Sequence, residues 1–542
     1  MKKTILALVF ALGYSSATLA IGNPNAPKGG VLKLNLGGAP TTLNPLSSTD
    51  AYARTVQTNV VDSLLNQNID TQEWEPALAT SWKVSKDGKE FTFVLREGVK
   101  WHDGKPFTAE DVKFSFDAIL DPTDKYRTAH WKPFYENLES LTIIDNKTVK
   151  FKVKTPYFDN FAVAAGLTVV PKHVYENPSE AQKKKLNKTL VGTGAYMLKE
   201  FDRSKKIILI KNPDWWGNKD PKQQGRYNFG TIAMRFISDG TIAIRSLETG
   251  QIDYMGLMPD EYMRMTSGPK WGKQVHKVKM ENKKPRGYGY VAFNQESPLF
   301  KSLNVRKAMV HLFDRQKMIE KFLYNLSVPA TGPLYLQSDY ADKTIKPIPF
   351  DPKEAARLLA ADGWKDTDGN RILDKVINGK KVQLSFTIME PSPEFVKYLT
   401  TFQQDAKKVG VDVQVKVVEW NAFLKLVDER KFDAVRLAWG GGGLDWDPKQ
   451  IWHSASIQNQ GSNFISYRNP KVDQLIDQAR LDMNKESRVK KLQEVYRMIA
   501  DDVPYIFLFN GKYNFYGYTD RLGREKDTYT YDVGYDYWWV AK

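Results

Sequence analysis

The stretch from Phe91 to Leu120 constrains the fold most, because within it the hydrophobic period switches from that of a strand to that of a helix. Phe91, Phe93 and Leu95 alternate with polar residues. His102-Asp103-Gly104 supplies turn chemistry, and Thr108 with Asp111 three residues on has the form of a capping box. Val112, Phe116 and Ile119 then fall on one helical face. A strand, a turn and a capped helix in succession exclude the all-α and all-β classes. The alternation recurs. Strands are predicted at 31–36, 91–95, 141–151, 206–210, 232–237, 288–293, 382–388, 411–418 and 434–438. Helices are predicted at 60–65, 242–247, 305–322, 352–361, 395–409 and 472–483, and the apolar run 161–170 reads as a buried strand.

The first residues form a separate unit. Met1-Lys2-Lys3 is a basic head, 4–13 an apolar core and Thr18-Leu19-Ala20 a small-residue cleavage site, the pattern of a secretory signal peptide removed before Ile21. The apolar run is about half the ~20 residues a membrane span needs. No cysteine follows it, which closes the lipid-anchor route. The 522 residues that would remain of the 542 exceed one hydrophobic core, so two or three lobes are expected. With no cysteine anywhere, those cores must hold without disulfides or thiolate metal sites. The formal charge of +16 would fit nucleic acid, an anionic membrane or acidic solutes, but acids are interleaved with the bases throughout. The tight basic run Lys183-Lys184-Lys185 sits in a polar stretch, so a solvated surface is the expected reading and no nucleic-acid partner is expected.

Known enzyme patterns fail. The six histidines, His130 among them, are never closer than 28 positions, so no paired-ligand spacing exists. Two S-x-x-K matches, at Ser267 and Ser487, lack the companion motifs of Ser-Lys acyl enzymes. Gly287-Tyr288-Gly289-Tyr290-Val291-Ala292 enters a strand instead of leaving one, which removes the phosphate-cradling helix end. Asp366, Asp368 and Asp374 resemble part of a calcium loop without its glycine and closing glutamate, and read as a polar turn. Neither a cofactor nor a metal is expected.

Several motifs agree in wording and order with one family. They are Trp101-His102-Asp103-Gly104 with Thr108-Ala109-Glu110-Asp111-Val112, Thr42-Leu43-Asn44-Pro45, Pro76-Ala77-Leu78-Ala79-Thr80-Ser81-Trp82 and Val191-Gly192-Thr193-Gly194-Ala195-Tyr196. Further on come Asn212-Pro213-Asp214-Trp215-Trp216-Gly217, Asn304-Val305-Arg306-Lys307-Ala308 and Tyr467-Arg468-Asn469-Pro470-Lys471-Val472-Asp473. The chain resembles the large solute-binding proteins that feed bacterial oligopeptide and dipeptide ABC importers, and Gly225-Arg226-Tyr227-Asn228-Phe229 is similar to the murein-type or modified-peptide branch.

The resemblance implies an α/β fold of the type II periplasmic-binding-protein kind, with mixed sheets, two main lobes, an inserted small lobe and a hinge. Lobe I would take 21–61, 189–286 and 506–542, lobe II 62–188 and lobe III 287–505. It implies a periplasmic, monomeric, non-catalytic carrier that encloses a peptide or peptide-like solute and delivers it to a membrane permease. The alternatives are an exported peptide or glycan hydrolase and a carrier of a non-peptide solute.

The segment 432–448 carries most of the site reading. Four glycines after a buried strand offer no packing, so the backbone there needs positive φ or close approach, and a ligand is the expected neighbour; a mobile loop is the alternative. Gly441 and Gly442 are the expected backbone contacts, Trp439 and Trp446 the flanking aromatic walls, and Gly37-Gly38 after the first strand the facing wall. The resemblance implies an aspartate for the ligand's α-amino group, and Asp445 is its counterpart, with Asp447 two residues on.

Overall fold

The computed structural model describes residues 21–48, 50–128, 131–458 and 462–541; the signal-peptide reading and His130 lie outside them. Two large sheets organise the chain. The first has seven strands in the order 275–280, 514–519, 254–257, 31–35, 231–235, 206–211, 196–202. Its centre is a parallel pair, with Val31 opposite Thr231 and Asn35 opposite Arg235. Leu32, Leu34, Ile232 and Met234 are buried in its core with Tyr516 and Trp538. Three separated stretches of sequence thus share one sheet.

The second sheet runs 412–417, 385–390, 434–439, 288–293, 505–507. Successive residues of a strand point to opposite faces, so it carries two cores. Val291, Phe293, Phe386 and Ile388 enter one, and Tyr290, Ala292, Met389 and Val435 enter the other. A four-stranded antiparallel sheet, 79–84, 90–95, 148–153, 138–145, packs against helix Ala109–Leu120 as a smaller unit. The chain passes between the large sheets at 281–287 and returns at 508–513. Arg286 ties the crossings together, donating to the Gly511 carbonyl at 2.6 Å and to that of Asn282 at 3.3 Å.

The helix start at Thr108 works as its residues imply. The buried Asp111 carboxylate accepts the Thr108 N–H at 2.9 Å, the Lys172 N–H at 2.9 Å and the Trp101 indole N–H at 3.3 Å. His102 explains why two of the motifs travel together: its Nδ1 accepts the Gly192 N–H at 3.2 Å, and its Nε2 lies 3.1 Å from the Gly194 carbonyl. Burial lowers its pKa, so the ring holds both contacts as a neutral imidazole.

Four element expectations are corrected. The run 161–170 contains a helix, Asn160–Ala165, because Phe-Ala-Val-Ala-Ala favours helix and Gly166 ends it. The first helix is Ala51–Val60, capped by Asp50, and stops where the expected 60–65 helix begins; only Ala53, Val56, Asn59 and Val60 of it are buried, so its apolar signal is faint. The expected helix 305–322 is two, Leu303–His311 and Arg315–Leu323, because Asp314 caps the second by accepting the Lys317 N–H at 3.0 Å. The expected strand 141–151 is a hairpin of Leu138–Asp145 and Thr148–Val153.

Candidate functional site

Strand 434–439 lies parallel to 385–390, and strand 31–35 parallel to 231–235 and 254–257. In open α/β sheets, ligands bind beyond the carboxyl ends of parallel strands. The loop 440–447 and the turn 36–38 occupy those ends, one on each large sheet. Asn35 accepts the Gly37 N–H at 2.9 Å and so folds the turn back; Gly37 has φ +83°, and a Cβ at Gly38 would stand 2.7 Å from the Tyr52 ring. This turn is therefore glycine backbone laid on an exposed tyrosine, 41% accessible.

The four glycines divide. None takes a positive φ. A Cβ at Gly441 would meet the Pro285 carbonyl at 2.5 Å, so the close approach seen there is to the crossing segment of the chain itself. Gly440 and Gly442 have open space beside them. Trp439 is half-buried and stacked on Tyr290 at 6.0 Å and 28°. Trp446 is 8% accessible and packs edge-on to Tyr496, as part of the lobe's core.

Asp445 and Asp447 are tied into the protein. The Tyr340 hydroxyl donates to Asp445, and Arg488 Nη2 lies 3.4 Å from the same oxygen. Asp447 accepts the Tyr157 hydroxyl at 2.8 Å and the Lys449 N–H at 3.0 Å, and pairs with Arg480 at 3.0 Å. Tyr157 belongs to the smaller unit. Its neighbour Phe158 donates its N–H to the Arg480 carbonyl at 3.1 Å and lies under the Arg488 guanidinium at 4.3 Å. The segment 157–160 thus closes on the loop carrying both aspartates. Burial, then the nearby Asp445 and Asp447 carboxylates, push the Asp159 carboxyl up to about 7. Three carboxyls face two guanidiniums, a local acid surplus in a basic protein. Asp445 is the open member, its side chain 39% accessible.

Sequence reasoning reached Asp445 and Asp447 but not Tyr157, Asp159, Tyr340, Arg480 or Arg488. Nothing in Tyr157-Phe158-Asp159-Asn160 points to a partner nearly three hundred residues later. Elsewhere Asp366, Asp368 and Asp374 offer close oxygens, but Lys381 pairs with Asp368 at 2.8 Å and Asp374 at 3.2 Å and fills the cluster with its own cation. Among the described residues no helix is long and apolar enough to cross a membrane.

Two large mixed sheets joined by two crossing segments form the architecture of a solute-binding protein. The family model for bacterial extracellular solute-binding proteins, family 5 (Middle) matches residues 73–462, and the chain belongs to that family. It is a non-enzymatic solute-binding protein. Among curated relatives, the oligopeptide-binding protein AppA of Bacillus subtilis is 28% identical, covering 97% of this chain and 94% of that protein. Heme-binding protein A of Haemophilus influenzae is 26% identical over 88% of this chain and 85% of its own length. The solved structure of Bacillus subtilis AppA in complex with a nonapeptide matches with a TM-score of 0.77 at 27% identity, covering 95% of this chain and 100% of that one.

Proposed function

We propose that this protein is the substrate-binding component of a peptide ABC importer. It is exported with loss of residues 1–20, works in the periplasm as an unanchored monomer, encloses an oligopeptide or peptide-like solute between lobes I and III, and hands it to a membrane permease. One observation carries the reading: the acid surplus at Asp159, Asp445 and Asp447, placed at the carboxyl end of strand 434–439. A partly desolvated site with one more carboxyl than guanidinium favours an arriving cation, and the α-ammonium is the cation every free peptide carries. The open backbone at Gly440 and Gly442 can pair with an extended chain without reading its side chains, which suits a carrier of many sequences. Heme, with its two carboxylates, would meet repulsion at the same place.

Mass spectrometry of the solute that co-purifies from the periplasm identifies the class. Calorimetry with that peptide and its N-acetylated form then tests the amine. Acetylation is expected to weaken binding strongly; equal affinities would overturn the assignment of the acid cluster to the ammonium.

A further inference from the structure

A separate cavity of about 470 Å³ lies at the other end of the first sheet. It is walled by residues that precede strand 31–35, among them Lys28 and Gly29, and by residues that precede strand 231–235, from Gln223 to Gly230. The Gly37-Gly38 turn follows the same strand, so about 17 Å of β-strand separates the cavity from the cleft.

Its lining holds three cations, Lys28, Lys211 and Arg226, and no acid. Asp536, outside the lining, pairs with Arg226 at 2.5 Å, and neither lysine takes part in an ion pair among the described residues. The Lys211 ammonium sits over three rings, Trp215 at 4.9 Å, Tyr196 at 5.3 Å and Tyr227 at 5.5 Å, and donates to the Tyr227 carbonyl at 3.0 Å. Lys28, exposed at the mouth, donates to the Asn228 side chain. Trp215, only 5% accessible, contributes ring surface to the cavity lining. Aromatic faces and two lysines without an acidic partner are the complement of an anion with a flat body.

We propose that this cavity is a second ligand site, independent of the cleft, for a small molecule that joins a carboxylate or phosphate group to a flat apolar ring. The anionic group would sit between Lys28 and Lys211, and the ring against Trp215 and Tyr227.

Burial and the facing charges of Lys28 and Arg226 hold the Lys211 ammonium down to about 7; the other titratable neighbours are Tyr196 and Tyr227, which burial keeps neutral, and Asp536, committed to Arg226. An anion would restore the proton to Lys211, so binding should weaken as pH rises above 7.

The test is calorimetry on the intact protein at low salt and pH 6, with benzoate and phenyl phosphate as the probes. One site is expected for at least one probe, and the preferred probe tells carboxylate from phosphate. Lys211→Met and Lys28→Gln should each weaken binding about tenfold or more, with circular dichroism confirming that both variants remain folded. Asp445→Ala should leave probe affinity unchanged, so failure here and failure of the cleft reading are separable. Silence with both probes, or full affinity in both lysine variants, would overturn the proposal and make Lys211 the centre of a purely structural cation–π stack.

Discussion

The loop at 445–447 and the cavity at 211–230 carry opposite charge in one chain. Around the loop, Asp159, Asp445 and Asp447 outnumber Arg480 and Arg488. Around the cavity, Lys28, Lys211 and Arg226 face no lining acid. The chain's +16 would suggest a cleft tuned to anionic solutes, yet the candidate cleft site is the acidic one. Net charge describes the solvated surface, whereas the sign at a site is set by the few side chains that the fold brings together across long sequence distances.

Asp445→Ala is the largest break in this comparison. Losing a partly desolvated charge-assisted contact should weaken peptide binding by about 2–5 kcal/mol. Acetylating the peptide should then cost the variant little, because both changes remove one interaction. If calorimetry shows Asp447→Ala disabled and Asp445→Ala normal, the amine contact moves two residues along. Arg488→Leu comes next: it strips the cation from Asp445 and Phe158, and should cost about 3 kcal/mol of stability in urea titration, the low end for a broken buried pair because Asp445 is partly wet.

Asp159 gives a pH signature. Its folded pKa, about 7, is raised above the ordinary value of 3.8, so the folded state holds the extra proton between those limits. The cost of ionising it is fully present above pH 7 and is relieved as pH falls toward 4. Stability should rise on acidification through that window by up to about 1.4 kcal/mol per pH unit. Thermal melts at several pH values check this, and Asp159→Asn should flatten the slope. Converting Lys183, Lys184 and Lys185 together to Gln should do least. Helix Glu180–Leu186 is solvated, so stability should move by less than about 0.5 kcal/mol and peptide affinity not at all. A large loss of affinity would return the bulk charge to the cleft.

Legibility in the sequence followed how local the information was. Strand 288–293 and helix Pro352–Ala361 could be read from their own residues, because period, Asp351 and Pro352 all lie within reach of one window. The helix Asn160–Ala165 could not, since a short apolar run has no decisive period. At the site, the aspartates and glycines stood out by type. What holds them did not, because Tyr157, Tyr340 and Arg488 reach the loop only through tertiary folding. Gly441 shows the limit of the glycine argument: close approach was legible, but the neighbour, Pro285, was not.

Strand 514–519 lies between 254–257 and 275–280 in the first sheet. A chain made from its N-terminus therefore carries strand 275–280 long before the piece that joins it to the other five exists. The sheet containing 288–293 and 505–507 has all its strands before residue 514, so it can close before the outer edge of the first sheet does. Until residue 519 emerges, strand 275–280 has no partner in the sheet, so the edge of an otherwise paired sheet is the last part of the first half to be completed.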